Sequence, residues 1–539
     1  MLCSKCETPR DSPQSKPMFK IGQRIHWAAD CRRSGTVKYV GPVEGYSGEW
    51  VGVDWDNGDG KHDGSINGVR YFQAMCQNSA SFVRPHNLSP GITLLEALVL
   101  RYRGQTTKEE EDEMYVLSER SEKVSIQFVG KDKIESKLSR FDELIGASLA
   151  YLGVSSPGSL GEINTIAPNL KELDLTGNLL SDWKDVGAIC QELPALAALN
   201  LSNNMMIHDV TCLRPLRNIR VLVLNYTGIK WIQMELLKHS LPDLEELHLM
   251  GNKIGEITPI SSAVVRGLDS LRLLNLEDNC ISEWGEILKL CELKSLERLH
   301  LNKNSLNRIF YPCNDLTNET LDGKPFRNLD CLLLGANSIE DLESVNSLNS
   351  FPRLTDIRLT ENPVADPGRG GIPRFVLIAR LAKVEVLNGS EVSPRERKES
   401  EIRYVRLVMS KVHANPEEVN QCHPRFFELK SLHDIEDIRP SKGAIGPQKL
   451  ASGLLSVTLK CVGASMGEKP PLIKKLPANT SVGKLKILCE SFFKLKPTKL
   501  RLFIQEEASP LPILLDNEMA SLLDLGIGNE STILVDEQS

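Results

Sequence analysis

The sequence predicts a multidomain protein: a small all-β barrel, then an α/β leucine-rich-repeat solenoid, then a C-terminal α+β domain. Three observations carry that reading. Residues 18–90 are short β-branched and aromatic runs (RIHW, SGTVKYVG, EWVGVDW, VRYF) separated by Gly-rich turn signals, as in small all-β modules. Between Leu170 and Val364 one pattern recurs eight times: an apolar residue, two positions, usually Leu, one position, Leu, then a turn marked by Asn in every copy but one. Residues 452–539 read as strands around one amphipathic helix, in the order ββαβ…β.

The repeats begin at Leu170 (LKELDLTGN), Leu196 (LAALNLSNN), Ile219 (IRVLVLNYT), Leu244 (LEELHLMGN), Leu271 (LRLLNLEDN), Leu296 (LERLHLNKN), Leu329 (LDCLLLGAN) and Leu354 (LTDIRLTEN). Successive starts lie 26, 23, 25, 27, 25, 33 and 25 residues apart. The two apolar residues that flank one variable position face the interior of a short parallel strand, and the variable position points outward. One repeat cannot bury its Leu row, so stacked neighbours form the core and leave a wall of outward side chains. Its middle positions read Asp174, Asn200, Val223, His248, Asn275, His300, Leu333 and Arg358. Val223 and Leu333 are apolar where water is expected, and Tyr226 and Met250 add apolar area beside them. A protein-binding concave face is therefore expected on Val223, Tyr226, His248, Met250, His300, Leu333 and Arg358. The turn Asn is expected to satisfy backbone groups where the chain leaves each strand. The third copy has Thr227 there, and the long sixth interval holds an insertion around Tyr311 to Lys324.

Composition narrows the function classes. At 539 residues, 41% hydrophobic and 25% charged, the chain can hold three or four domains with sizeable cores. A net charge of −7 and no dense Lys/Arg run argue against a general nucleic-acid binder. Thirteen scattered cysteines, an odd count, fit reduced thiols in the cytosol. No apolar run approaches the roughly 18 residues of a membrane span, and the start MLCSKCETPRDSPQSKP lacks the apolar centre of a secretory signal. Cys3-x-x-Cys6 is half a zinc site with no second pair nearby, so no metal is expected. Without G-x-S-x-G, H-E-x-x-H or a Walker motif, neither catalytic residues nor a cofactor are expected.

Taken in order, residues 1–17 read as a disordered tail. Within 18–90 the segment Gly60-Lys61-His62-Asp63-Gly64 matches neither phosphate-loop spacing. Together with SGTVKYVG (34–41), GEWVGV (48–53), Arg70-Tyr71-Phe72 and Phe82-Val83-Arg84-Pro85, it resembles a CAP-Gly domain. The resemblance implies a groove for acidic C-terminal tails ending in Glu-Glu-Tyr or Glu-Glu-Phe, such as that of α-tubulin. Trp50 and Phe82 would line it, Lys61 would meet the tail's charge, Gly60 and Gly64 would let backbone approach, and Asn87 would hydrogen-bond at the edge. His62, beside Asp63, stands where the commonest motif of that family has Asn.

Residues 91–123 read as a linker with a short helix over Ile92–Tyr102 and an acidic run at Glu109–Glu113. Residues 124–410 form the array with its caps, the last being a charged helix started by Ser393-Pro394. A second linker, 411–451, carries Cys422 and His423 as incidental neighbours. Residues 452–539, with Thr480 as the expected N-cap of their helix, resemble a ubiquitin-like domain. They end without Gly-Gly, so docking rather than conjugation is expected.

A CAP-Gly domain, leucine-rich repeats and a ubiquitin-like domain in this order resemble the tubulin-folding cofactor E family. The resemblance implies a cytoplasmic, cytoskeleton-associated chaperone without enzymatic activity. It would hold α-tubulin by tail and body and act with other tubulin-folding cofactors and β-tubulin to assemble or dissociate the αβ heterodimer. Ubiquitin- or proteasome-related proteins are the partner class of the C-terminal domain, and neither nucleic acid nor membrane is a partner. Two rival readings use the same modules: a microtubule plus-end scaffold for acidic tails, and a substrate receptor in ubiquitin-dependent degradation. Bivalent capture, with linkers raising the effective concentration of the second contact, is the expected mechanism.

Overall fold

The computed structural model describes residues 19–103, 115–117, 123–125, 140–206, 210, 215–260, 262–312, 324–366, 369–411, 416–435, 454–463, 469–477, 479–493, 500–505, 512–522, 525–528 and 531–537. The expected tail with Cys3 and Cys6, the acidic run at Glu109–Glu113, most of the insertion after Tyr311 and the Pro/Gly/Lys-rich end of the second linker lie outside these residues. One compact unit comprises Met1–Cys280 with Lys289–Leu296, the other Ile281–Leu288 with Glu297–Ser539.

The first unit opens with five antiparallel strands in the order Ala80–Val83, Tyr46–Trp55, Asp30–Val43, Arg24–Trp27, Leu88–Ser89. Alternation in EWVGVDW explains its two faces. Val51, Val53 and Trp55 join Ile25, Val37, Val83 and Leu88 in the core, and Trp50 and Gly52 take the opposite parity.

The stretch read as a linker starts with packed elements. Ile92–Thr93 pairs in parallel with Val154–Ser156, and the Ile92 amide donates to the Gly153 carbonyl at 2.9 Å. Thr93 and Glu96 form a capping box on helix Leu94–Tyr102, which buries Leu94, Ala97 and Leu98. The Ser148 amide then donates to Tyr102 Oη at 2.9 Å. The apolar stripe that predicts this helix needs a surface to bury against, and the start of the array supplies it. The segment that follows the first sheet is thus bonded to the start of the array rather than loosely tethered.

Within this unit the strands Gly146–Ser148, Glu172–Asp174, Ala198–Asn200, Val221–Val223, Glu246–His248 and Leu273–Asn275 pair in parallel, each in register with the next. Leu173, Leu199, Leu222, Leu247 and Leu274 are buried beneath them. The turn Asn forms a ladder, as its spacing predicts. Asn252 Nδ2 donates to the carbonyls of Leu224 (2.8 Å) and Leu249 (2.9 Å), while its Oδ1 accepts from the amides of Thr227 (2.9 Å) and Gly228 (2.8 Å). Asn178, Asn204 and Asn279 repeat the pattern. Thr227, in the Asn position, reaches the Leu224 carbonyl with its hydroxyl at 3.0 Å and Asn252 Oδ1 at 3.2 Å, but among the described residues it accepts from no amide of the preceding turn as an Asn does.

In the second unit, Arg298–His300, Cys331–Leu333, Asp356–Arg358 and Val386–Leu387 are parallel neighbours, and Ser390–Glu391 closes the edge antiparallel. Helix Pro394–Lys411 begins as expected, with Ser393 Oγ accepting from the Glu396 amide at 3.1 Å. The second linker is also partly folded: helices Pro416–Cys422 and Phe426–Leu432 place Val419, Phe426 and Leu429 in one core with Phe375, Tyr404 and Val408. His423 belongs to that packing, its Nδ1 lying 2.9 Å from Tyr404 Oη and 3.2 Å from Arg380 Nη2.

The C-terminal sheet runs Leu472–Pro477, Leu454–Cys461, Thr532–Glu537, Leu500–Gln505, Ile513–Leu514, with its first and last strands parallel and helix Val482–Phe493 packed on it. This is the ubiquitin-like order. The helix cap differs from expectation: Ser481 Oγ accepts from the Lys484 amide at 3.3 Å, while the buried Thr480 hydroxyl donates to the Pro477 carbonyl at 2.7 Å. The preceding turn claims the first hydroxyl and leaves the cap to the second. Arg403 of the long cap helix donates through Nε and Nη2 to the Leu525 carbonyl, at 2.9 and 2.6 Å.

Candidate functional site

Phe82 is the hub of an aromatic cluster on the first sheet. Its ring centroid lies 5.3 Å from Tyr71, 5.5 Å from Phe72, 6.2 Å from Tyr39 and 6.3 Å from His62. The register explains this convergence: Gly52 is the cross-strand partner of both Tyr39 and Phe82, so all three share one face. The missing side chain at Gly52 makes room, since a Cβ there would collide with the Phe72 ring.

The Gly60–Gly64 loop lies along the same strand edge. Lys61 and His62 amides donate to the Ala80 carbonyl at 2.7 and 3.0 Å, and the Ala80 amide returns a bond to the His62 carbonyl at 2.9 Å. Gly64 has φ +96°, and a Cβ there would meet the Phe72 carbonyl oxygen. The loop backbone is therefore fixed beside the rings, and the Lys61 side chain is exposed. Asp63 acts inside the loop. The Ser65 hydroxyl and then its amide, with Arg70 Nη2 at 2.7 Å, hold its carboxyl below the usual carboxylate range.

Trp50 and Asn87 stand apart from this cluster. The Trp50 ring packs edge-on against Tyr46, 5.8 Å between centroids, and the Arg84 guanidinium lies 3.8 Å from its own centroid. Its indole N–H is buried with no partner among the described residues. Asn87 is held through backbone: its amide donates to the Arg84 carbonyl at 3.0 Å, and its carbonyl accepts from Ala28 at 2.9 Å. Among the described residues no hydrogen bond joins its side chain to Lys61 or His62. Sequence reasoning left Tyr39 and Tyr71 out of this candidate site, although their rings join the Phe82 cluster. The signal was the aromatic pair in Arg70-Tyr71-Phe72 together with the alternation of TVKYV.

On the wall of the first unit Val223 is the cross-strand partner of His248, and His248 of Asn275. In the second unit His300 partners Leu333, and Leu333 partners Arg358. Several polar wall positions are turn caps: Asn275 Oδ1 accepts from the Glu277 amide at 2.8 Å, and Asn200 Oδ1 accepts from Ser202 N at 3.0 Å. Tyr226 has φ +55° and lays its ring over Gly251, where a Cβ would collide. Its Oη donates to Asp278 Oδ2 at 2.9 Å, and that bond raises the phenol pKa. Met250, half-buried, donates its amide to Asn225 Oδ1 at 2.9 Å.

Among the described residues no group of three or more His, Cys, Asp or Glu is placed to hold a metal ion, and no helix is long and apolar enough to cross a membrane. A family model for the CAP-Gly domain matches residues 21–88. A tubulin-folding cofactor E of Arabidopsis thaliana is 62% identical over 526 residues, covering 97% of this chain and 99% of that protein. A tubulin-specific chaperone E of Danio rerio is 31% identical over 538 residues, covering 96% and 98%. The solved C-terminal ubiquitin-like domain of mouse tubulin-specific chaperone e is 27% identical and covers 19% of this chain and 96% of that one, with a TM-score of 0.15. With near-complete coverage of relatives on both sides, the chain belongs to the tubulin-folding cofactor E family, also called tubulin-specific chaperone E.

Proposed function

We propose that this chain is a cytoplasmic tubulin chaperone that captures α-tubulin at two places, the acidic C-terminal tail and the folded body. It works with the other tubulin cofactors and β-tubulin when the heterodimer is assembled or dissociated. The observation that carries the reading is the Phe82-centred cluster with exposed Lys61 at its edge. Aromatic edges suit a terminal ring, and a free ammonium beside them suits adjacent carboxylates. Wall residues Val223, His248 and Tyr226, in the same compact unit, offer a half-exposed face for the body. The junction at Ile92–Thr93 keeps groove and wall together, so a client held at one is presented to the other at high effective concentration. This is binding work, and it assigns no residue a covalent role. Docking of ubiquitin- or proteasome-related proteins is the part proposed for the C-terminal domain.

The test is fluorescence anisotropy with a peptide of the α-tubulin tail ending in Glu-Glu-Tyr. Lys61→Ala is expected to weaken binding by about tenfold at low salt and by less as ionic strength rises. A peptide that fails to bind, or one that Lys61→Ala binds as well as the unsubstituted chain does, would refute the groove.

A further inference from the structure

The concave wall is not uniform along the first unit. Where its outward positions are small, at Gly146, Ser148 and Ala198, the parallel strands leave a hollow of about 460 Å³. Tyr102 lines one side, and Val221 and Val223 line it further along the array. Two carboxylates line it as well: Glu172, exposed, and Asp174, half-buried. Asp174 is pinned, its Oδ1 accepting from the Thr176 amide at 3.0 Å and its Oδ2 from Ser148 Oγ at 3.0 Å. Among the described residues neither carboxylate has a cation within ion-pair distance, and Arg220, one residue ahead of the Val221 strand, is already paired with Glu245.

From this geometry we infer that the hollow is a docking site for a lysine or arginine side chain flanked by an aliphatic residue on the folded body of the protein client. The inference rests on the capture of a tubulin body proposed above and specifies the chemistry of that contact. Charge complementarity selects the occupant. Two unpaired carboxylates, one held rigidly by hydrogen bonds, face a recess with valines along its side, which suits a cation on an apolar stem. The same carboxylates repel an acidic tail. Groove and hollow therefore take different parts of the client: Lys61 and the rings take the acidic end, and Glu172 and Asp174 take a basic patch of the body.

The test is binding of the full chain to tubulin whose acidic tails have been removed, with the tail peptide as a parallel probe. Glu172→Lys reverses an exposed charge, and Ala198→Trp fills the recess. Each is expected to weaken binding of trimmed tubulin by about tenfold or more, to leave tail-peptide affinity unchanged, and, for Glu172→Lys, to flatten its salt dependence. If trimmed tubulin binds the unsubstituted chain and both variants equally, the hollow is overturned while body capture stands. If trimmed tubulin does not bind the unsubstituted chain at all, body capture and the hollow fall together. Unchanged peptide binding in each variant shows that the first unit is still folded.

Discussion

Asn252→Ala is expected to lower the stability of the first unit by about 2–4 kcal/mol, more than removal of an ordinary polar side chain. The side chain is 6% exposed and makes five backbone hydrogen bonds, the longest from Nδ2 to the Met250 carbonyl at 3.4 Å. Two of its acceptor carbonyls keep other donors, since Thr227 Oγ1 also reaches Leu224 and Asn279 Nδ2 also reaches Leu249. The Thr227 and Gly228 amides have no such second partner among the described residues; Thr227 is buried, and its orphaned donor costs about 1–3 kcal/mol, while the amide of exposed Gly228 can turn to water. Asn252→Asp separates the two halves of the interaction. The carboxylate still accepts from both amides, but a second oxygen now faces the carbonyls that Nδ2 met. At neutral pH the loss is expected to equal or exceed that of Asn252→Ala. Burial among acceptors raises the folded-state pKa of the new carboxyl above its unfolded value, so stability is regained as pH falls and lost as pH rises. Chemical denaturation of the unsubstituted chain and both variants at pH 5 and pH 8, about 1.5 units either side of the ordinary histidine range, measures this. Equal stability of Asn252→Ala and the unsubstituted chain would contradict the ladder's role.

Phe82→Ala is expected to weaken tail-peptide binding by about 30-fold or more, the ~2 kcal/mol of a hot-spot residue. Four rings converge on Phe82, from Tyr39, Tyr71, Phe72 and His62. Its loss removes one wall of the groove and lets the other rings relax, so the effect exceeds that of Lys61→Ala, which removes charge and leaves the shape. Trp50→Ala is the informative comparison. Its ring packs on Tyr46 and Arg84 rather than on Phe82, so a smaller loss is expected, through the position of Arg84. Isothermal titration with the same peptide ranks the three. An effect of Phe82→Ala no larger than that of Lys61→Ala would mean that charge alone holds the tail.

The parts legible in the sequence are those whose signal is local and periodic. The Leu rows and the Asn ladder repeat the same side-chain chemistry every 23 to 33 residues, so each strand and turn announces itself. The Gly60–Gly64 loop was equally legible, because glycines at fixed offsets encode a close backbone approach. What stayed hidden depends on partners distant in sequence. Ile92–Thr93 looks like the edge of a linker until Val154–Ser156 is laid beside it. Tyr39 joins the Phe82 cluster only because Gly52 sets it next to Phe82 across two strand pairings. Thr480 and Ser481 are adjacent hydroxyls that no local pattern ranks, and the Pro477 carbonyl decides between them. Asn275 reads as a wall residue but is 7% exposed and spends its side chain on its own turn.

The central claim is that two separate sites hold one client, and binding of the purified chain to soluble α-tubulin, intact and tail-trimmed, tests it most directly. Trimming and Phe82→Ala should each weaken binding, the two together should cost little more than either alone, and a residual affinity should survive that the Phe82 substitution does not touch. Binding that vanishes entirely on trimming, or that trimming leaves unchanged, would contradict two-site capture.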